Sequence, residues 1–435
     1  MPLYYIFLEK FMNPIRAALL GGGSRGRYVY ADYAKTRPQD LRITAIAEPD
    51  QEKRTTIAEE QSIRSSLVVS DWKDLFPSTH QDFDVVIIAT QDAMHLEPLL
   101  KAIDEGYPVL CEKPVVPSLG ELSQIAEKAK HTKSLVSISH VLRYTPFFTK
   151  IKQLIEEKAI GDLIGIELNE NVGHIHISHS YVRGNWRKRE ESSPMILAKS
   201  CHDMDILRYL AGSSCETLSS YGDLFHFKQD KAPKGAPLRC TDGCPVLEQC
   251  PYAAQKIYLG ENILWPVNVI TTDLSYEGRE KALKEGPYGR CVYHCDNNVV
   301  DHQSVSARFS NGVIASFTMS GFTMDTHRSI RVMGSKAELK GDMESGEITI
   351  DVFSTKERIT YQLNTKRDGH GGGDEHLITD FIARVRSLDI HSTSDLSTSL
   401  ESHFMAFAAE ESRLSGGEKI DLASFQKQGR MRLLS

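Results

Sequence analysis

The chain reads as an α/β protein. A doubly wound parallel sheet comes first, and an α+β domain with an open, mostly antiparallel sheet follows. Three observations predict this. Over residues 15–144, short Val/Ile-rich runs alternate with helical stretches, the pattern of strands buried on both faces. A glycine-rich turn follows the first of these runs. After about residue 145, apolar and polar residues begin to alternate singly, as in strands with one exposed face.

The elements follow in order. Residues 1–14 read as an N-terminal extension, since ordered pattern starts near Ile15. Strand candidates are "IRAALLG" (15–21), "LRITAIAEPD" (41–50), "DVVIIAT" (84–90), "YPVLCEKP" (107–114) and "SLVSISHVLRY" (134–144), with helices such as 93–105 and 118–131 between them. The second domain spans 145–435. It opens with a helix (146–158) and a strand pattern, "LIGIELNENVGHIHIS" (163–178). "LAKSCHDMDILRYLAG" (197–212) reads as an amphipathic helix stopped by Gly212. Residues 224–300 are poorly periodic, rich in Gly, Pro and Cys, and read as an insertion. "HQSVSARFSNGVIASFTMSGF" (302–322) reads as two strands about an Asn311-Gly312 turn. Strand candidates at 329–342 and 346–353 follow.

The composition restricts the function. The chain has 435 residues, 40% of them hydrophobic and 25% charged, with a net charge of −7. An acidic chain without a basic run argues against a nucleic-acid partner. No apolar run approaches the roughly 18 residues of a membrane span, so no membrane partner is expected. The apolar start lacks a basic leader, which predicts a cytoplasmic protein without a signal peptide. Eight cysteines in that setting favour reduced thiols or metal ligation over disulfides.

"LLGGGSRGRYVY" sets Gly21, Gly23 and Gly26 in G-x-G-x-x-G register between a strand and a helix. Glu48 ends the next strand. Together these form the dinucleotide fingerprint of a Rossmann domain: a tight turn, close backbone approach to pyrophosphate, and an acid for the ribose hydroxyls. Glu48 would repel a 2′-phosphate, so NAD is favoured. Arg25, beside Ser24 in the loop, leaves NADP open. "VLCEKP" places Glu112 and Lys113 past the carboxyl end of a strand, where ligands sit in such folds. In the 197–212 helix, Lys199, His202 and Asp203 share one arc beside the apolar stripe of Met204, Leu207 and Ala211.

Taken together, the glycine loop, Glu48, "CEKP" and "CHDMDILRYL" resemble the Gfo/Idh/MocA oxidoreductase family over nearly the whole chain. The resemblance implies NAD(P)-dependent oxidation or reduction of a CH–OH group on a small carbohydrate-like substrate. Lys113 and His202 would be catalytic. The cofactor would also touch Thr90, His95, Glu112 and, from "VRGNWR", Trp186 and Arg187. Tyr144, Asn185, Lys199, Asp203 and His370 would meet the substrate, with Arg143 also in the cleft and Asp203 orienting His202 or pairing with Lys199. A homo-oligomer is expected, as is common in the family. Many polyol-oxidising members carry Asp four residues before the histidine, where this chain has Ala198. That departure keeps a second reading open, an NAD-dependent glycosidase that oxidises, eliminates, hydrates and reduces with no net redox. A third reading is a non-catalytic NAD(P)-sensing regulator.

Two further clusters stand outside this scheme. Cys240, Cys244 and Cys250, with Cys291, His294 and Cys295 later, form a pattern that a structural zinc ion would suit, the alternative being packed, reduced thiols. His174 and His176 would share a strand face, as packed or solvated side chains or as cleft or metal groups. Asp374 reads as a helix cap.

Overall fold

The computed structural model describes residues 13–76, 82–366, 370–389, 393–394 and 396–431. The first twelve residues of the expected extension lie outside these. Six parallel strands form the first sheet: β1 (Ile15–Leu20), β2 (Leu41–Ala47), β3 (Val68–Val69), β4 (Val85–Ile88), β5 (Val109–Cys111) and β6 (Val136–Ile138). Their order is β3-β2-β1-β4-β5-β6. The order reverses beside β1, so the crevice beyond the carboxyl ends of β1 and β4 is the place for a ligand. Both sheet faces are apolar and covered. Val86 and Ile88 of β4 enter one buried cluster, and Val85 and Ile87 the other.

Nine strands form the second sheet, ordered β14-β13-β12-β11-β7-β10-β9-β8-β15. They are β7 (Leu163–Asn171), β8 (Cys215–Asp223), β9 (His302–Phe309), β10 (Ile314–Ser320), β11 (His327–Gly334), β12 (Ala337–Asp342), β13 (Glu347–Val352), β14 (Arg358–Gln362) and β15 (Ile420–Asp421). Only β7 and β10 pair in parallel. The expected hairpin forms about Gly312, at φ 88°. Along β9, burial alternates residue by residue, so Val305, Ala307 and Phe309 face the helices and Ser304, Ser306 and Arg308 face outward.

Three expectations are corrected. The 163–178 strand stops at Asn171. Gly173, at φ 83°, turns the chain into a helical segment whose Ile177–Arg183 part is a π-helix. The 329–342 strand breaks into β11 and β12 around Ser335 and Lys336, because each half finds more partners as one arm of a hairpin. The 197–212 helix is interrupted at Lys199–Ser200 between Met195–Ala198 and Cys201–Ala211; its left-handed stop at Gly212 forms as expected.

The C-terminal helices return to the first sheet. Leu377, Ile378 and Phe381 of the Gly373–Ser387 helix pack with β1, β2 and β4 side chains. Ile138 of β6 donates its amide to the Ser394 carbonyl at 3.1 Å. This return brings His370 and Asp374 to the glycine loop. Among the described residues, no helix is long and apolar enough to cross a membrane.

Candidate active site

The glycine loop has three distinct positions. Gly21 sits at φ 99°, and a Cβ there would lie 2.5 Å from the Ala89 carbonyl oxygen. A Cβ on Gly26 would lie 2.0 Å from the Gly21 carbonyl oxygen. A Cβ on Gly23 would meet nothing within 4 Å. Two glycines therefore close the turn and the third faces open space, the arrangement that admits a pyrophosphate. The helix begins at Ser24, whose exposed side chain borders that space. Glu48 closes the far side: its Oε2 accepts the Gly22 amide at 2.6 Å and its Oε1 the Asp50 amide at 2.9 Å. These residues fit an NAD-type dinucleotide with free ribose hydroxyls.

Arg25 is turned away from that ribose site. Its Nε donates to Glu112 Oε1 at 2.6 Å, and its Nη2 to Asp374 Oδ1 at 2.6 Å. Opposite charge draws it there, so it does not stand ready for a 2′-phosphate. Asp374 accordingly serves as an ion-pair partner and gives no side-chain hydrogen bond to cap its helix. Tyr30 (2.7 Å) and Ser139 (3.2 Å) complete the surroundings of Glu112, and Arg25 holds this carboxyl below its usual value despite burial.

The Glu-Lys-Pro turn is clamped from both sides. His95 is fully buried, with Nδ1 2.9 Å from the Pro114 carbonyl and Nε2 3.2 Å from that of Thr90. It was expected to touch the cofactor, but both its nitrogens face backbone carbonyls, which turns the ring into the two strand-end loops. The Val115 amide donates to His403 Nε2 at 3.0 Å, and His403 Nδ1 reaches the Ser399 carbonyl at 2.7 Å. That pattern requires a neutral ring, and burial holds His403 down to about 4. Lys113 Nζ emerges from the turn and donates to the Ala198 carbonyl at 3.3 Å.

His202 lies buried at the start of the Cys201–Ala211 helix, and neither ring nitrogen has a hydrogen-bond partner. Its ring centroid is 5.8 Å from His370 and 6.0 Å from His140. Burial, with Lys113 nearby, pushes it well below the ordinary histidine value, so it is neutral. His370 Nδ1 is held 2.9 Å from Asp374 Oδ2. The structure thus brings Lys113, His202 and His370 together at the mouth of the crevice.

The neighbouring charges are arranged differently from expectation. Lys199 pairs with Glu170 Oε1 at 3.2 Å, not with Asp203. Asp203 receives Arg328 Nε at 2.8 Å and Nη2 at 3.3 Å, so it does not orient His202. Arg328 also pairs with Glu170. The reason is the break at Lys199–Ser200, which takes Lys199 off the arc of His202 and Asp203. Burial and Glu170 lift Asp203 to about 6 against the pull of Arg328.

Glu170 and Arg328 were missed by sequence reasoning, although a signal exists. Each is a charged residue on the buried parity of its strand: Ile166-Leu168-Glu170 and Arg328-Ile330-Val332. The two sit directly opposite in the β7–β11 register. Asp92 was also missed. It is half-buried beside Lys113, His95 and Trp186, with Oδ2 unpartnered, and desolvation raises its pKa.

Of the other expected contacts, Trp186 packs on Tyr181 at 6.2 Å and borders Asp92. Asn185 is exposed. Arg187 is bound to Asp296, Nε to Oδ1 at 2.8 Å, which ties it to the insertion instead of leaving it for the cofactor. The Tyr144 hydroxyl is engaged by Asp380 and Ser394, each at 3.1 Å, inside the helix-packed seam. Arg143 makes a buried two-point pair with Asp205. His174 bonds to loop carbonyls, whereas His176 packs edge-on against Trp265 of the insertion at 4.9 Å.

The zinc expectation is corrected. Among the described residues, no group of three or more His, Cys, Asp or Glu side chains is arranged to hold a metal ion. Cys240, Cys244, Cys250 and Cys291 are spread around one cavity. Cys295 turns to the Cys291 carbonyl at 3.3 Å, and His294 to the Ala236 carbonyl at 3.2 Å.

Two family profiles match the chain. One describes the NAD-binding Rossmann fold of an oxidoreductase family and covers residues 15–140; the other describes that family's C-terminal α/β domain and covers 152–421. YteT of Bacillus subtilis is 23% identical over 317 residues, 68% of this chain and 71% of that protein. An NAD-dependent scyllo-inositol 2-dehydrogenase of Bacillus subtilis is 25% identical over 224 residues, 49% of this chain and 59% of its own length. A levoglucosan dehydrogenase solved with NADH and levoglucosan shares the fold at a TM-score of 0.70 and 17% identity, covering 94% of this chain and 100% of that one.

Proposed function

Because the chain belongs to the Gfo/Idh/MocA oxidoreductase family, a family of NAD-dependent dehydrogenases, we propose that it moves hydride between NAD and a hydroxyl-bearing carbon of a sugar, polyol or glycoside. One observation carries this reading: the buried, neutral, unpartnered imidazole of His202 beside Lys113 and beyond the strand ends. A group so placed has a hydrogen-bonding capacity that a ligand or water in the crevice can use.

Gly21, Gly23, Gly26, the Ser24 helix start and Glu48 would hold the dinucleotide. When bound, it supplies the hydride acceptor at its nicotinamide ring. Lys113 directs its ammonium at the substrate oxygen and favours the developing alkoxide. His202 takes the hydroxyl proton, which a neutral imidazole can do and an imidazolium cannot. His370, steadied by Asp374, lines the same opening. Glu48 favours NAD over NADP. Trp265, set against His176 and His179 by the insertion, offers an aromatic face for a sugar ring. All eight cysteines are free thiols, which suits a reducing, cytoplasmic setting. The outward face of the nine-stranded sheet is the surface we assign to a second copy of the chain, tested by sedimentation.

The test is turnover of a sugar and polyol panel by the protein and by Lys113→Ala and His202→Asn. If neither substitution lowers turnover tenfold while NAD still binds, the reading fails. Glycoside cleavage without accumulating NADH would replace it with the redox-neutral glycosidase. Tight NAD binding without any turnover would replace it with the sensing regulator.

A further inference from the structure

His140 stands just past β6 and is completely buried. Among the described residues, neither of its ring nitrogens has a hydrogen-bond partner. It belongs to a succession of imidazoles that leads inward from the crevice. Ring centroids are 5.8 Å apart from His370 to His202, 6.0 Å from His202 to His140, and 5.3 Å from His140 to His403. A buried imidazole with no partner is costly, so its two nitrogens call for an explanation.

The surroundings of His140 restrict who can partner it. His403, on the Leu396–Leu414 helix, already has both nitrogens engaged, by the Val115 amide and the Ser399 carbonyl. Arg143 is bound to Asp205, and Lys113 donates to the Ala198 carbonyl. Burial, reinforced by His403, Arg143 and Lys113, holds His140 well below the ordinary histidine value, so its ring is neutral. Two groups remain, both on the Cys201–Ala211 helix. One is Asp205, whose Oδ1 lies 3.6 Å from His140 Nε2. The other is His202, itself without a partner. Contacts slightly too long in an empty site tighten when ligand fills it.

The polarity of these groups fixes their protons. A carboxylate gripped by Arg143 only accepts, so His140 carries its proton on Nε2 and a lone pair on Nδ1. That lone pair takes an N–H from His202 through an enclosed water between the two rings. The opposite nitrogen of His202 then keeps its lone pair. We propose that Asp205 and His140 form a buried line behind His202 that sets its tautomer and leaves its lone pair for the substrate hydroxyl. The same line stabilises the imidazolium once His202 has taken that proton. This rests on the reading of His202 as the proton acceptor. The proton moves from the substrate oxygen to His202, and no bond changes at His140, which is a positioning residue.

The test is tautomer analysis of the full chain by nuclear magnetic resonance, with isotope-labelled histidine rings assigned through His140→Gln and His202→Asn. In the wild type, His140 should be neutral and protonated on Nε2, and His202 should be a single tautomer. In His140→Phe, His202 should become a mixture of tautomers. That variant should lower kcat roughly 10- to 100-fold, with KM and NAD affinity unchanged. The acid limb of its kcat/KM profile should move to lower pH, since the imidazolium loses its acceptor. His140→Gln, which can still donate to Asp205 and accept from His202, should recover most of the kcat. A wild-type His140 protonated on Nδ1, or mixed His202 tautomers in the wild type, overturns the proposal whether or not any variant folds. An unchanged kcat in His140→Phe, or an equal loss in the Phe and Gln variants, also overturns it. Turnover that survives His202→Asn removes the proton-acceptor reading instead, and the tautomers still decide whether the line exists.

Discussion

Lys113 donates to the backbone carbonyl of Ala198 at 3.3 Å. The acceptor is main chain, not a carboxylate. A carbonyl aims the ammonium without neutralising it, and Lys113 forms no ion pair among the described residues.

This arrangement makes Lys113 and His202 separable. Under the proposed function, Lys113→Ala would remove electrostatic help to the oxygen, and His202→Asn would remove the proton acceptor. Each should lower kcat by roughly 10²–10⁴-fold with little change in NAD affinity. Steady-state kinetics and a cofactor-binding titration on the two variants check this.

Cofactor choice should follow Glu48. Its carboxylate is fixed by the Gly22 and Asp50 amides. Glu48→Ser should weaken NAD binding and improve the relative kcat/KM for NADP by tenfold or more, roughly 1.4 kcal/mol. Measuring kcat/KM with both cofactors decides it.

Arg328 holds two buried carboxylates, Asp203 and Glu170. Arg328→Met would strand them, with only Lys199 left as a cation. The expected loss is about 3–5 kcal/mol of stability, read from denaturant unfolding. A loss below about 1 kcal/mol would refute the view that this cluster is balanced by Arg328.

Stability should fall in mild acid. His140, His176, His179, His202 and His403 are all held below the ordinary value by burial, His179 and His403 to about 4. The unfolded chain then binds more protons below about 6.5, so stability rises with pH across that window. The thermal midpoint should drop between about pH 7 and pH 5, and a flat profile there would contradict it. Glu112 and Asp374 act lower: their depressed values keep the Arg25 tie present above their ordinary range, and it is lost only as pH falls through the folded values.

Trp265 should act on binding alone. Trp265→Ala is expected to raise KM roughly three- to tenfold for a sugar substrate and leave kcat nearly unchanged. A loss confined to kcat would remove the stacking role.

By itself the sequence determined the two sheets, the glycine loop, Glu48 at a strand end and Lys113 just past one; the pairing of Lys113 with His202 came from the family resemblance. Those features are written in local patterns: strand periodicity, a backbone that tolerates only glycine, a turn past a strand end. The tertiary structure decided which charge meets which. Lys199 goes to Glu170 and Asp203 to Arg328 because a helix break and a cross-strand register, 125 residues apart for the second pair, set their positions. Arg25 and His370 were legible as polar residues in glycine-rich loops, but their meeting through Asp374 depends on a helix that packs back onto the first sheet. Ion pairs and cavities depend on distances that no local periodicity encodes.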